Sequence, residues 1–328
     1  MTKMLVLEER DVFERHAPEE LHKCCEITLM SQFTPVKEIL ACASDAEILL
    51  ANPTISIKED LIDGLPNLQL IQTEGVGFEG VDLNAANKRG IYVCNCRGVN
   101  ARAVAEHTVM LMLCCLRDVI NGYQDVLEGR QNAKKVYYMK TGSLRDLGDC
   151  TVGFIGYGSI GKEAARLTKA FGARTLYYKP HRSDEEFAEY CMLDDLLAQS
   201  DIVSLNLPLT KESENMADAA FFRRMKKGAI LINTARGGLV NSKDLIDALA
   251  SGQLGGAGLD VLDHEPVRTD HLLVKAPEEI RKKIIFTPHI GGVTKSAFVR
   301  TYDVILENVR HIQDGEQPIN IVNQPLHV

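Results

Sequence analysis

The sequence predicts an α/β fold made of two doubly wound parallel-sheet domains, one inserted into the other. Three observations predict it. Short apolar runs alternate with amphipathic stretches along most of the 328 residues, the pattern of strands joined by crossover helices. A glycine fingerprint, Gly156-Tyr157-Gly158-Ser159-Ile160-Gly161, stands in the later of two such series and has no counterpart in the earlier one. Two long helix signals, residues 101–117 and 294–314, lie where a chain would leave one domain and return to it.

In the first series, residues 4–7, 27–30, 48–51, 68–72 and 91–94 read as strands, because each is a short apolar run bounded by polar or turn-forming residues. Residues 18–25, 36–43, 58–64 and 83–89 read as the helices or turns between them. The helix signal at 101–117 is apolar on nearly every side, as expected of a helix buried between two domains. Residues 130–142 read as a polar linker with no repeat or compositional bias. The second series places strands at 152–155, 175–178, 202–205, 229–232, 256–259 and 284–286. The helix at 294–314 could then return the chain to the first domain, with 320–328 finishing on it.

Composition bounds the function. The hydrophobic content of 45% and charged content of 25% are those of an ordinary globular protein. A formal charge of -8 and a pI near 5.7 argue against nucleic acid or a membrane surface as the main partner. No apolar stretch is long enough to span a bilayer, and the first residues lack the apolar core of a signal peptide. The nine cysteines are odd in number, sit mostly in apolar runs and lack zinc-site spacing, so buried reduced thiols in a cytoplasmic protein are expected, with no metal site.

The fingerprint follows the apolar run 151–155 and opens a helical stretch, the context a dinucleotide requires. Gly156 permits the tight turn, Gly158 lets the backbone approach a pyrophosphate, and Gly161 lets helix pack on strand. The N–H groups near Ser159 and Ile160 would hold the anion. Three later motifs place chemistry at strand ends: Asn233-Thr234-Ala235-Arg236, Asp260 through Glu265-Pro266, and Thr287-Pro288-His289. Ligands bind at that edge of open α/β sheets. An arginine fork grips a carboxylate, a histidine can protonate a carbonyl oxygen as hydride arrives, and a neighbouring carboxylate keeps the imidazole charged and aligned. Together they suit a 2-oxo acid.

The order of these motifs, with Gly98-Val99-Asn100-Ala101-Arg102 leading to Glu106-His107-Thr108 before them, resembles the D-2-hydroxyacid dehydrogenase family over about residues 75–294. The resemblance implies a Rossmann nucleotide-binding domain (101–293) inserted into a flavodoxin-like substrate domain (1–100 and 294–328), with the reaction in the cleft between them. It implies hydride transfer between NAD(P)H and C2 of a 2-oxo acid. It carries Arg236, Glu265 and His289 as the catalytic trio, and Gly75, Val76 and Gly77 with Arg236 as substrate ligands. Around the cofactor it places Asp260, Val104, Leu207, Pro208, Thr234, Ala235 and Gly292 beside the fingerprint. It also implies a homodimer, with the apolar helix near 101–116 in the contact.

Two departures bear on specificity. An acid about 20 residues past the fingerprint ordinarily binds the ribose 2′-hydroxyl, yet here the second strand ends in Lys179-Pro180-His181-Arg182. Lys179, His181 and Arg182 would attract a 2′-phosphate, so NADPH is expected over NADH. The loop Ala51-Asn52-Pro53-Thr54 lacks the arginines that phosphoglycerate-oxidising relatives carry, which counts against 3-phosphoglycerate dehydrogenase. Glu265 counts against formate oxidation, because that branch lacks an acid partner for its histidine. A dinucleotide-sensing corepressor is the reading from another class. A lone His107 or His271 reads as a surface or capping residue.

Overall fold

Crossover connections between apolar runs give two separate parallel sheets. The computed structural model describes residues 1–53 and 55–326; Thr54 of the expected loop and His327–Val328 of the expected tail lie outside the described residues. The chain divides into one unit formed by Met1–Asn100 with the chain from Val293 onward, and a second formed by Ala101–Gly292.

The first unit holds β1 (Thr2–Leu7), β2 (Cys25–Met30), β3 (Ile48–Ala51), β4 (Leu70–Thr73) and β5 (Tyr92–Cys94). They pair in parallel in the order β2-β1-β3-β4-β5, the flavodoxin-like arrangement, whose order reverses between β1 and β3. Helices cover both faces, which explains why β3 and β4 are buried at every residue and read as continuous apolar runs. On one face Ile39, Leu61, Ile62 and Ala86 pack over Leu49 and Ile71. On the other, Phe13, Tyr302, Ile305 and Val309 pack over Val6 and Leu50. The helix Lys295–Asp314 supplies that second layer; Thr294 caps its start and Gly315, at φ 72°, ends it. Asn308 on this helix is fully buried, donates to the Gln72 side chain at 2.7 Å and accepts from the Ile319 N–H at 2.7 Å. The tail then returns to β5, where the Val322 N–H donates to the Val93 carbonyl at 2.9 Å.

The second unit holds β6 (Thr151–Ile155), β7 (Arg174–Tyr178), β8 (Glu189–Tyr190), β9 (Ile202–Leu205), β10 (Ala229–Asn233), β11 (Leu254–Leu259) and β12 (Ile284–Phe286). All pairings are parallel, in the order β12-β11-β10-β9-β6-β7-β8. The first strand of the unit therefore lies mid-sheet, and the order reverses between β6 and β9, the switch point at which dinucleotides bind.

One expectation is corrected here. Residues 130–142 are not a linker: they form the helix Gln131–Thr141, after a further helix, Val119–Leu127. Within its own unit the apolar helix Ala101–Leu116 buries Ala105, Val109, Leu111 and Met112 in a core with Phe154 and Ile232 of the sheet. Apolar side chains are instead exposed on the two helices that follow, including Ile120, Tyr123, Leu127 and Met139. Among the described residues no helix is long and apolar enough to cross a membrane.

Candidate active site

Parallel pairing places the carboxyl ends of β6, β7, β9, β10, β11 and β12 along one edge. Gly156 follows β6 with φ 86°, a left-handed conformation glycine adopts without strain. A Cβ there would lie 2.3 Å from the Asn206 carbonyl oxygen, and one at Gly161 would lie 2.6 Å from that of Gly156, so both glycines are required by close approach. At Gly158 an added Cβ would meet nothing within 4 Å, which leaves that face open to a ligand. Gly158 is also the N-cap of the helix Ser159–Ala170 and brings no side chain to cap it. The first-turn N–H groups at Ser159, Ile160 and Gly161 thus face the opening without a side-chain acceptor. Asn206 stands at the end of β9 with its Nδ2 bonded to Ser204 and its Oδ1 buried without a partner. An open glycine, an uncapped helix start and an unpartnered buried acceptor fit a pyrophosphate-linked dinucleotide.

At the end of β10, Thr234 is buried and bonded to Thr108 at 2.9 Å, and Ala235 and Arg236 follow half-buried. Asn233 shapes this turn by accepting from the Ala235 N–H at 3.0 Å and donating to the Arg236 carbonyl at 2.8 Å. The Arg236 guanidinium donates to the Ala235 carbonyl at 2.8 Å.

At the ends of β11 and β12 the chain brings Glu265 and His289 together, with Glu265 Oε2 2.6 Å from His289 Nδ1. His289 is itself in the left-handed region at φ 55°, where its N–H donates to the Asp260 and Thr287 carbonyls. The bond to Glu265 raises the His289 pKa above its usual 6.5; burial and the Arg236 charge oppose that rise. Burial pushes the Glu265 carboxyl up, but the His289 bond and charge outweigh it and hold the carboxyl below its usual range. Nδ1 is committed to Glu265, so Nε2 is the ring atom left to exchange a proton.

Asp260, only 3% exposed, organises the same corner. It accepts from the Ile290 N–H at 2.9 Å, the Gly291 N–H at 2.8 Å and the Thr287 hydroxyl at 2.6 Å. His107 reaches the same group, with Nε2 3.2 Å from Asp260 and 2.9 Å from Thr287. Gly291 is pressed against the carboxylate and His107, and Gly292 follows it. His107 is therefore largely covered rather than a surface residue, with its side chain 10% exposed. His271 does cap a helix, accepting from the Leu273 N–H at Nδ1, and its Nε2 lies 3.0 Å from Asp263, which Ser242 also contacts. These contacts fix the backbone two residues before Glu265.

The remaining expected residues fall in several places. Val104 is buried on the helix Ala101–Leu116, and Leu207 and Pro208 follow Asn206 after β9. Gly75, Val76 and Gly77 follow β4 in the other unit. The Gly75 and Val76 carbonyls are taken by the Cys96 N–H and Asn95, while among the described residues the N–H groups of 75–77 donate to no protein acceptor. Lys179 ends β7 as expected, with His181 and Arg182 exposed beyond it. The expectation that no acid stands there is corrected: Glu185 folds back to Lys179 at 3.1 Å and Lys162 at 2.9 Å. Sequence reasoning missed Glu185 because nothing local fixes the direction of an irregular loop. Asn206 carried a signal, its place directly after an apolar strand. Among the described residues no group of three or more His, Cys, Asp or Glu is arranged to hold a metal.

Residues 109–291 match the family model for the NAD binding domain of D-isomer specific 2-hydroxyacid dehydrogenases. A glyoxylate reductase of Thermofilum pendens is 36% identical over 312 residues, covering 93% of this chain and 90% of that protein. A hydroxypyruvate reductase of Blautia hydrogenotrophica is 31% identical, with 92% of each chain covered. The crystal structure of a glyoxylate reductase from Paecilomyes thermophila superposes with a TM-score of 0.83 at 26% identity, covering 98% of both chains.

The geometry at His289 gives a direct expectation. An NMR titration of its ring should place the pKa above 6.5, and Glu265→Gln should lower it. An unchanged His289 titration in that variant would mean the two side chains do not pair in solution.

Proposed function

We propose how the work is divided among residues in a chain that belongs to the D-isomer specific 2-hydroxyacid dehydrogenase family and is an NAD-dependent oxidoreductase. The substrate we propose is a small 2-oxo acid of the glyoxylate and hydroxypyruvate class, reduced at C2 to the 2-hydroxy acid. The names of relatives covering most of the chain support that class. The reduced nicotinamide supplies the hydride, and the protein supplies the rest. His289 protonates the forming alkoxide from Nε2. Glu265 holds the imidazole charged and turned, and the 2.6 Å contact between them is the observation that carries the proposal. Arg236 grips the carboxylate and polarises the carbonyl. The N–H groups at Gly75, Val76 and Gly77, which among the described residues donate to no protein acceptor, suit a substrate carboxylate.

For the cofactor, Gly156, Gly158 and Gly161 with the N–H groups of Ser159 and Ile160 would hold the pyrophosphate. Val104, Leu207, Pro208, Thr234, Ala235 and Gly292 would line its path, and Asp260 would brace the loop around it. Lys179, His181 and Arg182 at the end of β7 support a preference for NADPH, and Glu185 tempers it. The nine free cysteines support a reducing compartment, the cytoplasm. The exposed Ile120, Tyr123 and Leu127, with Tyr137 and Met139 on the next helix, support a homodimer through that surface.

Four outcomes test these readings. His289→Ala should lower kcat for glyoxylate reduction by about 10²–10⁴-fold; turnover equal to wild type would reject the assignment. Because the reaction needs the imidazolium and the His289 pKa is raised, wild-type reduction should persist above pH 6.5 and decline as pH climbs through the raised value, while oxidation gains. With one active 2-oxo acid, kcat/KM for NADPH should exceed that for NADH by about tenfold; parity or a lead for NADH would reject the preference. Sedimentation at micromolar concentration should show a dimer that Ile120→Glu with Leu127→Glu converts to monomer, and a wild-type monomer would exclude the assembly.

A further inference from the structure

The end of β7 carries a carboxylate enclosed by cations, and its geometry is that of an occupied anion site. Lys162 from the first turn after the fingerprint approaches Glu185 Oε2 at 2.9 Å. Lys179 at the end of β7 approaches Oε1 at 3.1 Å, and the Ser183 hydroxyl donates to the same oxygen. The Glu185 side chain is only 10% exposed, although it lies on an irregular loop rich in charge. The loop is fastened on both sides of it. The Tyr177 hydroxyl donates to the Ser183 carbonyl, and Lys169 donates to the Glu186 carbonyl at 3.0 Å. Tyr177 is in turn stacked on Tyr157 of the fingerprint, with ring centroids 4.2 Å apart. Burial works against the charge on Glu185, yet Ser183 and the two ammonium groups hold its carboxyl down to about 2. It therefore stays ionised throughout the physiological range.

We infer that Glu185 is an internal anion seated where the 2′-phosphate of the cofactor would bind, and that it sets how strongly this chain favours the phosphorylated dinucleotide. The inference rests on the proposed placement of the ribose at the end of β7. Two ammonium groups and a hydroxyl form a donor set suited to a phosphate monoester, and that set is already in use. A 2′-phosphate must displace the carboxylate before it gains Lys162 and Lys179. A 2′-hydroxyl is neutral and need displace nothing, because a carboxylate accepts about four hydrogen bonds and Oε2 has room for one more. Glu185 thus works against the phosphorylated form while the lysines beneath it work for that form. Arg182, held over the Tyr190 ring at 5.6 Å, stays outside this exchange and attracts phosphate whether Glu185 is present or not.

The test is calorimetric binding of ADP-ribose and of its 2′-phosphate to the full chain, so that turnover plays no part. Glu185→Gln should tighten binding of the 2′-phosphate form by about tenfold and move ADP-ribose by less than about twofold. Glu185→Ala should do the same, which separates loss of the charge from any effect of the amide. Adding Lys179→Met to Glu185→Gln should abolish most of the gain. If Glu185→Gln shifts neither ligand, or shifts both alike, Glu185 is a structural ion pair and the inference falls. If neither ligand binds the wild-type chain, the placement of the ribose falls, and the inference falls with it.

Discussion

The buried carboxylate of Asp260 is the contact on which the corner holding Glu265 and His289 in the second unit depends. It accepts from two consecutive backbone N–H groups after β12 and from the Thr287 hydroxyl, and His107 on the helix Ala101–Leu116 lies against it. A buried charge is tolerated only when its partners offset the loss of water. Four such partners drawn from two segments tie the loops after β11 and β12 to the helix packed on the sheet. His289 sits inside that tie, between Thr287 and Ile290, in a left-handed conformation the surrounding bonds impose. The short contact to Glu265 follows from this placement, because the Glu265 loop is fixed independently by Asp263, His271 and Ser242. Each partner is therefore held in place by its own loop, and in the proposed reaction their positioning would cost little.

Much of this was legible in the sequence because it is local. Glycine fingerprints, strand-end motifs and apolar runs are written in adjacent residues, and their spacing is set by strand and helix geometry. The catalytic candidates could be named because parallel strands send their carboxyl ends to one edge, so a titratable residue directly after an apolar run must lie there. What escaped was non-local. The helix Gln131–Thr141 has no buried residue and hence no apolar periodicity to announce it. The two-residue strand β8 is too short to carry a pattern. The apolar helix Ala101–Leu116 was recognised as buried, but composition alone could not say that its own sheet was what covered it.

Glu185 shows the same limit with a functional consequence. The run Lys179-Pro180-His181-Arg182 reads as basic, and the acid that offsets it stands only a few residues later. Whether such an acid faces the cations or solvent depends on the loop's path, which the Tyr177 hydroxyl fixes by gripping Ser183. Charge counted along a chain is therefore a poor measure of charge at a site wherever an irregular loop follows a strand.

Electrostatics also shapes the carboxyl edge of the first unit, where it bears on the charge a ligand can carry. Glu8 stands at the end of β1, nearly buried, and accepts from Asn52 at 2.8 Å beside the switch point of that sheet. Glu74, directly before Gly75, is pushed up to about 7 by burial and by the nearby Glu8, with Tyr302 opposing the shift. If the N–H groups of 75–77 hold a carboxylate as proposed, a neutral Glu74 beside them adds no repulsion. A second anionic group on the substrate would meet Glu8 and would drive Glu74 further toward its protonated form, and none of Ala51, Asn52 and Pro53 brings a cation to offset it. Phosphorylated 2-oxo acids would meet that repulsion, and so would the phosphorylated 2-hydroxy acid 3-phosphoglycerate. Any such discrimination would rest on the acids this edge contains as much as on the arginines it lacks.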